Sequence, residues 1–384
     1  MEALIGQKLL LFVLFSLGIT MTETTRSFIP DWVSPPGDTI ADLLEERDWT
    51  QAQLAERLGY TTKHISLLIN GKAPINEETA MKLERVLGST AAFWLSREAQ
   101  YRAALARIEE ENRLKAWTSW LDNLPVKELM NQGVIPKCNL IAKNKPSLVK
   151  KLLHFFGVAS PDEWRSYYAG MEIFFRRTRE EQSDVGAISA WLRLGEIEAE
   201  KLDCPKYSKP KFEKAVREIR SLTVLPPEEF QPQMQQLCRE AGVVLVLVPS
   251  IKRAHVSGVA RWLNPHKALI QLSLYGKTND RLWFNFFHEA AHILLHDKQN
   301  IFLDEWGSGE SLESEQECEA DEWVRKFLIP PEYERELAQL KSKNDVVDFA
   351  ERIGIHPAIV VGRLQHDKLI PLSWMNVFKE SFSF

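Results

Sequence analysis

Residues 288–292 read His-Glu-Ala-Ala-His within DRLWFNFFHEAAHILLHD, and no other stretch constrains the chain as much. Apolar residues recur there at helical spacing, which predicts one long helix capped by Asn279. His288 and His292, four residues apart, share a helix face and can hold one metal ion between two imidazoles. Glu289 stands beside them, within reach of a water at that ion. Two imidazoles leave a catalytic zinc short of a third protein ligand. Downstream, Glu317-Cys-Glu-Ala-Asp321 opens a second amphipathic helix with Glu317 and Asp321 on one face. Glu317 can complete the site while Asp321 orients a histidine from behind. His296, Glu313 and Glu315 are the alternatives for the third position. A third histidine farther along one straight helix closes a tetrahedron poorly, which disfavours His296.

The run GVVLVLVPSI before this helix is rich in β-branched residues, and VSGVARWL and ALIQLSL look like two more strands turned by NPHK. The expected fold class is mainly α with an α+β catalytic part: a small sheet, the HExxH helix and a C-terminal helical segment. Arg281, Phe287, the 288–292 motif, His296, Glu317, Ala320 and the Leu328-Ile329-Pro330 stop resemble the gluzincins, and more closely the ImmA/IrrE metallopeptidases. The likeness covers roughly residues 240–370. HEAAH stands where HE-x-G-H is commoner, and Trp323 where phenylalanine is frequent. The resemblance implies a Zn2+ cofactor held by His288, His292 and Glu317, with Glu289 as the catalytic general base. It also implies hydrolysis of a protein substrate, often a transcriptional repressor. His255, Tyr275 and Arg281 are oxyanion candidates by nearness in sequence only.

The N-terminal part carries a different pattern. Asp38 can cap a helix bearing Ile40, Leu43 and Leu44. Thr50 then caps QAQLAERL, with Gln53 at the capping-box position. Gly59 breaks that helix, Thr61 begins TKHISLLIN, and Gly71 ends it. A fourth helix starts at Asn76, and a fifth runs from near Ser89 toward Ile108. Two short helices joined through a glycine turn form a helix-turn-helix. The string TQAQLAERLGYTTKHISLLINGK resembles phage-repressor-like (XRE) regulators. The longer stretch from VSPPGDTIADLLEERDWTQ through GSTAAFWLSREAQYRAAL resembles HigA-type antitoxins. Thr61, Thr62, Lys63, Ser66 and Leu67 would project into the major groove of a double-stranded DNA operator. Gln51 would grip a phosphate at its helix N-terminus, and Asn70 and Lys72 would contact the backbone.

Charge tempers that reading. Residues 31–90 hold six basic and ten acidic side chains, and the whole chain of 384 carries a net charge of −5. A globally basic nucleic-acid coat is excluded, and modest affinity per module predicts a homodimer. Yet Thr61–Ala73 contains Lys63 and Lys72 and no acid. Four scattered cysteines without a C-x-x-C pair support neither a disulfide framework nor a thiolate zinc finger and point to a reducing, cytoplasmic setting.

Five segments are expected. Residues 1–20, with the apolar run Leu9–Leu17, read as an extension ahead of a start at Met21 rather than as an anchor or cleaved signal, and no stable membrane partner is expected. Residues 21–110 form the DNA-binding domain and 111–235 a helical spacer punctuated by prolines. Residues 236–340 form the metallopeptidase domain and 341–384 a helical, helix-turn-helix-like segment expected to pack on it. Lys137, Lys143, Lys145, Lys150 and Lys151 in the spacer form a basic run, either a solvated face or a phosphate contact. The working expectation is an antitoxin-like or repressor-like regulator whose protease acts on a repressor or toxin–antitoxin component. The rival is a DNA-binding antitoxin or regulator whose metal domain is a catalytically silent sensor or a structural module.

Overall fold

The computed structural model describes residues 33–175, 184–273, 278–296, 302–305 and 315–381. Leu9–Leu17, Met21, Tyr275 and Glu313 lie outside these residues. The chain divides into two compact units, Met1–Asn112 and Arg113–Phe384.

The first unit holds α1 (Pro36–Glu46), α2 (Gln51–Leu58), α3 (Thr62–Ile69), α4 (Glu77–Leu87) and all but the last turn of α5 (Ala91–Ala116). Local chemistry sets these ends. The Thr50 hydroxyl accepts from the Gln53 amide at 3.2 Å while Gln53 Oε1 accepts from the Thr50 amide at 2.8 Å. That is the expected capping box. Gly59 takes φ +69° at the turn between α2 and α3, a conformation that costs other residues a Cβ clash. Asn76 Oδ1 caps α4 by accepting from the Thr79 amide. One expectation fails: α1 begins at Pro36, not behind an Asp38 cap. Proline's fixed φ suits the first helical position, and Asp38 instead accepts from Ser34 Oγ inside the first turn. Ile40, Leu54, Ile65, Leu68, Leu83 and Trp94 are at most 1 % exposed and close the core of this bundle.

The second unit continues with α6 (Val126–Asn131), α7 (Lys145–Phe156), α8 (Pro161–Phe175), α9 (Val185–Glu200), α10 (Lys209–Ser221) and α11 (Pro227–Glu240). Then come β1 (Val243–Val248), β2 (Val256–Asn264), β3 (Lys267–Ser273), α12 (Asn279–Leu295), β4 (Phe302–Glu305) and α13 (Glu315–Leu328). The short α14 (Glu334–Leu337), α15 (Lys343–Ile353) and α16 (Pro357–His366) close the chain. Pro146, Pro210 and Pro227 sit in the first turns of their helices, and Pro232 lies inside α11. These prolines therefore start helices more often than they mark linkers.

The sheet order is β1-β3-β2-β4; β1 runs parallel to β3, and the other pairs are antiparallel. The β2–β3 hairpin turns at Pro265-His266 as the NPHK string predicts. Alternation along the strands feeds two cores. Val243, Leu245, Ala260, Ile270 and Leu272 face α11 and α12, with α10, α13, α15 and α16 completing the core behind them. Val244, Val246, Val248, Val259 and Leu269 face the helices of 113–200, including α7 and α9. The helices expected as a spacer thus belong to the same compact body as the sheet.

Two ties fix the helices that carry His288, His292 and Glu317. The Arg220 guanidinium donates to the carbonyls of Phe327, Leu328 and Ile353, the C-terminal ends of α13 and α15. Those orphan carbonyls carry the negative end of each helix dipole. Asn279 does not cap α12: Thr278 precedes the helix, and Asn279 Nδ2 donates to the Phe378 carbonyl. Asn279 Oδ1, the atom a cap would use, accepts from the adjacent Asp280 amide at 2.9 Å instead of from an amide a turn onward. Val346, Phe349, Ile359, Val360 and Leu364 of α15 and α16 join the core around Trp283 and Phe287, so this pair packs on α12.

Candidate metal centre and DNA-reading helix

On α12, His288, Glu289 and His292 are buried at 4, 0 and 2 % exposure. The Nε2 atoms of His288 and His292 are 2.9 Å apart. Glu317 Oε2, from α13, lies 3.0 Å from His288 Nε2 and 3.4 Å from His292 Nε2. A tetrahedral zinc with bonds of about 2.0–2.1 Å keeps its ligand atoms about 3.3 Å apart. Three donors already gathered at that spacing fit the ion, and among the described residues they form the group able to hold one.

The surrounding shell orients the donors. His288 Nδ1 lies 2.9 Å from Asp321 Oδ1, so Nδ1–H donates to the carboxylate and the Nε2 lone pair turns toward the centre. His292 Nδ1 lies 2.9 Å from His296 Nδ1, and His296 Nε2 reaches Glu319 at 3.3 Å. His296, the C-cap where α12 ends, therefore stands behind His292, outside the three-donor group. Glu315 is exposed and also outside it. Trp323 stacks on Phe327 at 4.7 Å between ring centroids, and Ala291 is fully buried in the apolar core.

Sequence reasoning passed over Gly258. It sits in β2 directly against Glu289: a Cβ there would lie 2.4 Å from Oε1 and 3.0 Å from Cδ. The signal was present, because a glycine inside a strand pattern marks a close approach. Of the oxyanion candidates, His255 precedes β2 with φ +51° and Arg281 is exposed in the first turn of α12.

Protonation at the centre suits a cation. Burial pushes the His292 pKa down to about 4. Burial opposes the Glu317 carboxylate, but the close approach of the His288 and His292 imidazoles outweighs it and holds its pKa down to about 2. Metal binding requires a neutral imidazole and an ionised carboxylate, and both are present at neutral pH. The same shifts set acid stability. From pH 6.5 down to about 4 the unfolded chain takes a proton at residue 292 that the folded chain refuses. From 4.5 down to about 2 the same holds at residue 317. Stability of the metal-free protein is therefore expected to fall continuously as pH drops below about 6.5. Melting scans between pH 7 and 4 should show a smaller fall for His292→Asn, and parallel curves would contradict this account.

On the first unit, Gln51, Thr61, Thr62, Lys63, Asn70 and Lys72 are exposed, and Ser66 and Leu67 are half-buried. Two of these have local work as well. The Thr61 hydroxyl caps α3 by accepting from the His64 amide, and Asn70 Nδ2 donates to the Ser66 carbonyl at its other end.

Residues 40–94 match the helix-turn-helix family, and residues 238–365 match the IrrE N-terminal-like domain, a peptidase family. YddM of Escherichia coli strain K12, an uncharacterized helix-turn-helix-type transcriptional regulator, is 32% identical over 71 residues. That is 76% of YddM and 18% of this chain. The chain belongs to the helix-turn-helix transcriptional regulators. The regulator is also similar to a solved chain from Nostoc punctiforme, a provisionally assigned antidote protein of a plasmid maintenance system. The two are 32% identical over 21% of the regulator and 90% of that chain, with a TM-score of 0.20. The regulator thus joins a DNA-binding domain to an IrrE-type peptidase domain. Among its described residues no helix is long and apolar enough to cross a membrane.

Proposed function

We propose that this regulator binds a DNA operator through its first unit and hydrolyses a protein through a zinc site in its second. The observation supporting the second half is the convergence of His288 Nε2, His292 Nε2 and Glu317 Oε2 beside a buried Glu289. His288, His292 and Glu317 would hold zinc. When bound, zinc supplies Lewis acidity, polarising a scissile carbonyl and making water far easier to deprotonate. Glu289 takes the proton of the attacking water and passes it to the leaving amine. Asp321 keeps His288 in the tautomer that faces the centre. Gly258 leaves the room that Glu289 needs.

The substrate class that follows is a repressor, or a component of a toxin–antitoxin pair, met in the cytoplasm where the operator is. The chain's own first unit is a candidate substrate. Two copies of the modest α2–α3 reader would engage an operator as a homodimer.

The test of the enzymatic half is zinc content and cleavage together. Full-length protein is expected to hold zinc stoichiometrically and to cut its own first unit or a denatured casein, and His288→Ala to do neither. Wild-type protein that binds no zinc would refute the proposal. For the DNA half, Lys72→Ala should weaken binding to any duplex about equally and lower the slope of log affinity against log salt by about 1. An unchanged slope would remove Lys72 from the backbone contacts.

A further inference from the structure

The second unit contains a groove of about 990 Å³ between α7 and α9, on the sheet face opposite α12. Its base is apolar: Ile135 and Phe155 are 3 and 8 % exposed, and Ile197 lines it from α9. One helical face of α7 supplies the rim with Lys150, Lys151 and His154, while its other face, with Leu148, Val149 and Leu152, is sealed in the core. The Arg193 guanidinium donates to the Phe155 carbonyl at 2.8 Å and fixes the two walls together.

The charges at the rim are unequal. Arg193 is neutralised by Glu196 and Glu200, and Lys201 by Glu198. Among the described residues no acidic side chain pairs with Lys150 or Lys151. Residues 133–161 hold five lysines and no acid, within a chain whose net charge is −5. Evenly spread charge would have scattered acids through such a stretch. A concave site of this size is at the upper end of small-ligand pockets. An apolar floor beside two uncompensated cations selects an anion with a flat apolar body.

We propose that this groove binds a nucleoside phosphate, with the base against Phe155 and Ile197 and the phosphates on Lys150 and Lys151. A duplex backbone would use the lysines but leave the buried floor without a partner, so DNA fits the groove less well. The proposal stands on the groove alone and holds whether or not the metal centre is active.

Fluorescent mant-ADP titrated into the full-length protein tests it, with pyrophosphate as the ring-free probe. Saturable binding of mant-ADP is expected, weakened about tenfold or more in the Lys150→Ala/Lys151→Ala double variant and retained in the Lys→Arg pair. Ile197→Asn should weaken mant-ADP and spare pyrophosphate. Both alanine sites are exposed, so the melting midpoint should not move. Absent or lysine-independent mant-ADP binding would overturn the proposal. So would pyrophosphate binding as tightly as mant-ADP, which assigns the site to free phosphate. A double variant that loses only affinity for non-specific duplex would overturn it in favour of DNA.

Discussion

A Glu289→Gln variant is expected to keep its zinc and lose about 10²–10⁴-fold in peptide hydrolysis, the usual worth of a positioned general base. The amide has the shape of the carboxylate, so packing under β2 is preserved, and the three donors on α12 and α13 are untouched. What disappears is the ability to accept a proton next to the ion. Metal analysis beside a cleavage time course reads both quantities on one sample. Undiminished hydrolysis would remove Glu289 from the chemistry. Zinc retained, hydrolysis absent in wild type and variant alike, and DNA binding unchanged would instead favour a silent sensor.

Gly258→Ala is expected to produce a similar loss by another route. The new methyl would fall 2.4 Å from Glu289 Oε1 and 2.9 Å from its Cγ. Glu289 is fully buried, so its carboxylate cannot yield toward solvent without shifting α12 or β2. A displacement on the order of 1 Å at a reacting group costs about 10²-fold. Overpacking of this kind also costs about 1–3 kcal/mol of stability. The distinguishing result is kinetic: kcat should fall with zinc still bound and the fold intact by circular dichroism. Wild-type kcat in Gly258→Ala would show that the carboxylate has slack the static geometry does not display.

Much of the candidate site was legible because its logic is local. The i, i+4 rule brings His288 and His292 together, and the same rule pairs Glu317 with Asp321 one helix later. Caps at Thr50, Thr61 and Asn76 were readable for the same reason: each closes a hydrogen bond three residues on. Non-local facts were hidden. Nothing in VVLVLV states that β1 lies beside β3 rather than β2, because the hairpin partner is nearer in sequence. Strand β4, four residues long, was too short to stand out. Asn279 looked like a cap because its true partner, the Phe378 carbonyl, lies 99 residues away. Gly258 was visible as a glycine, but what it makes room for comes from another element. The apolar faces of α7 and α9 announced burial without naming the sheet that receives them.

That last pairing bears on how the second unit can be divided. The sheet has two clothed sides, and the peptidase match at 238–365 supplies helices to only one of them, beside α10 and α11 from upstream. Cutting the chain where that likeness begins would strip α7 and α9 from Val244, Val246, Val248, Val259 and Leu269, baring a sticky valine-rich wall. The 128 residues of the match therefore need the helices upstream to keep that wall covered, and the compact body that carries them begins near Arg113.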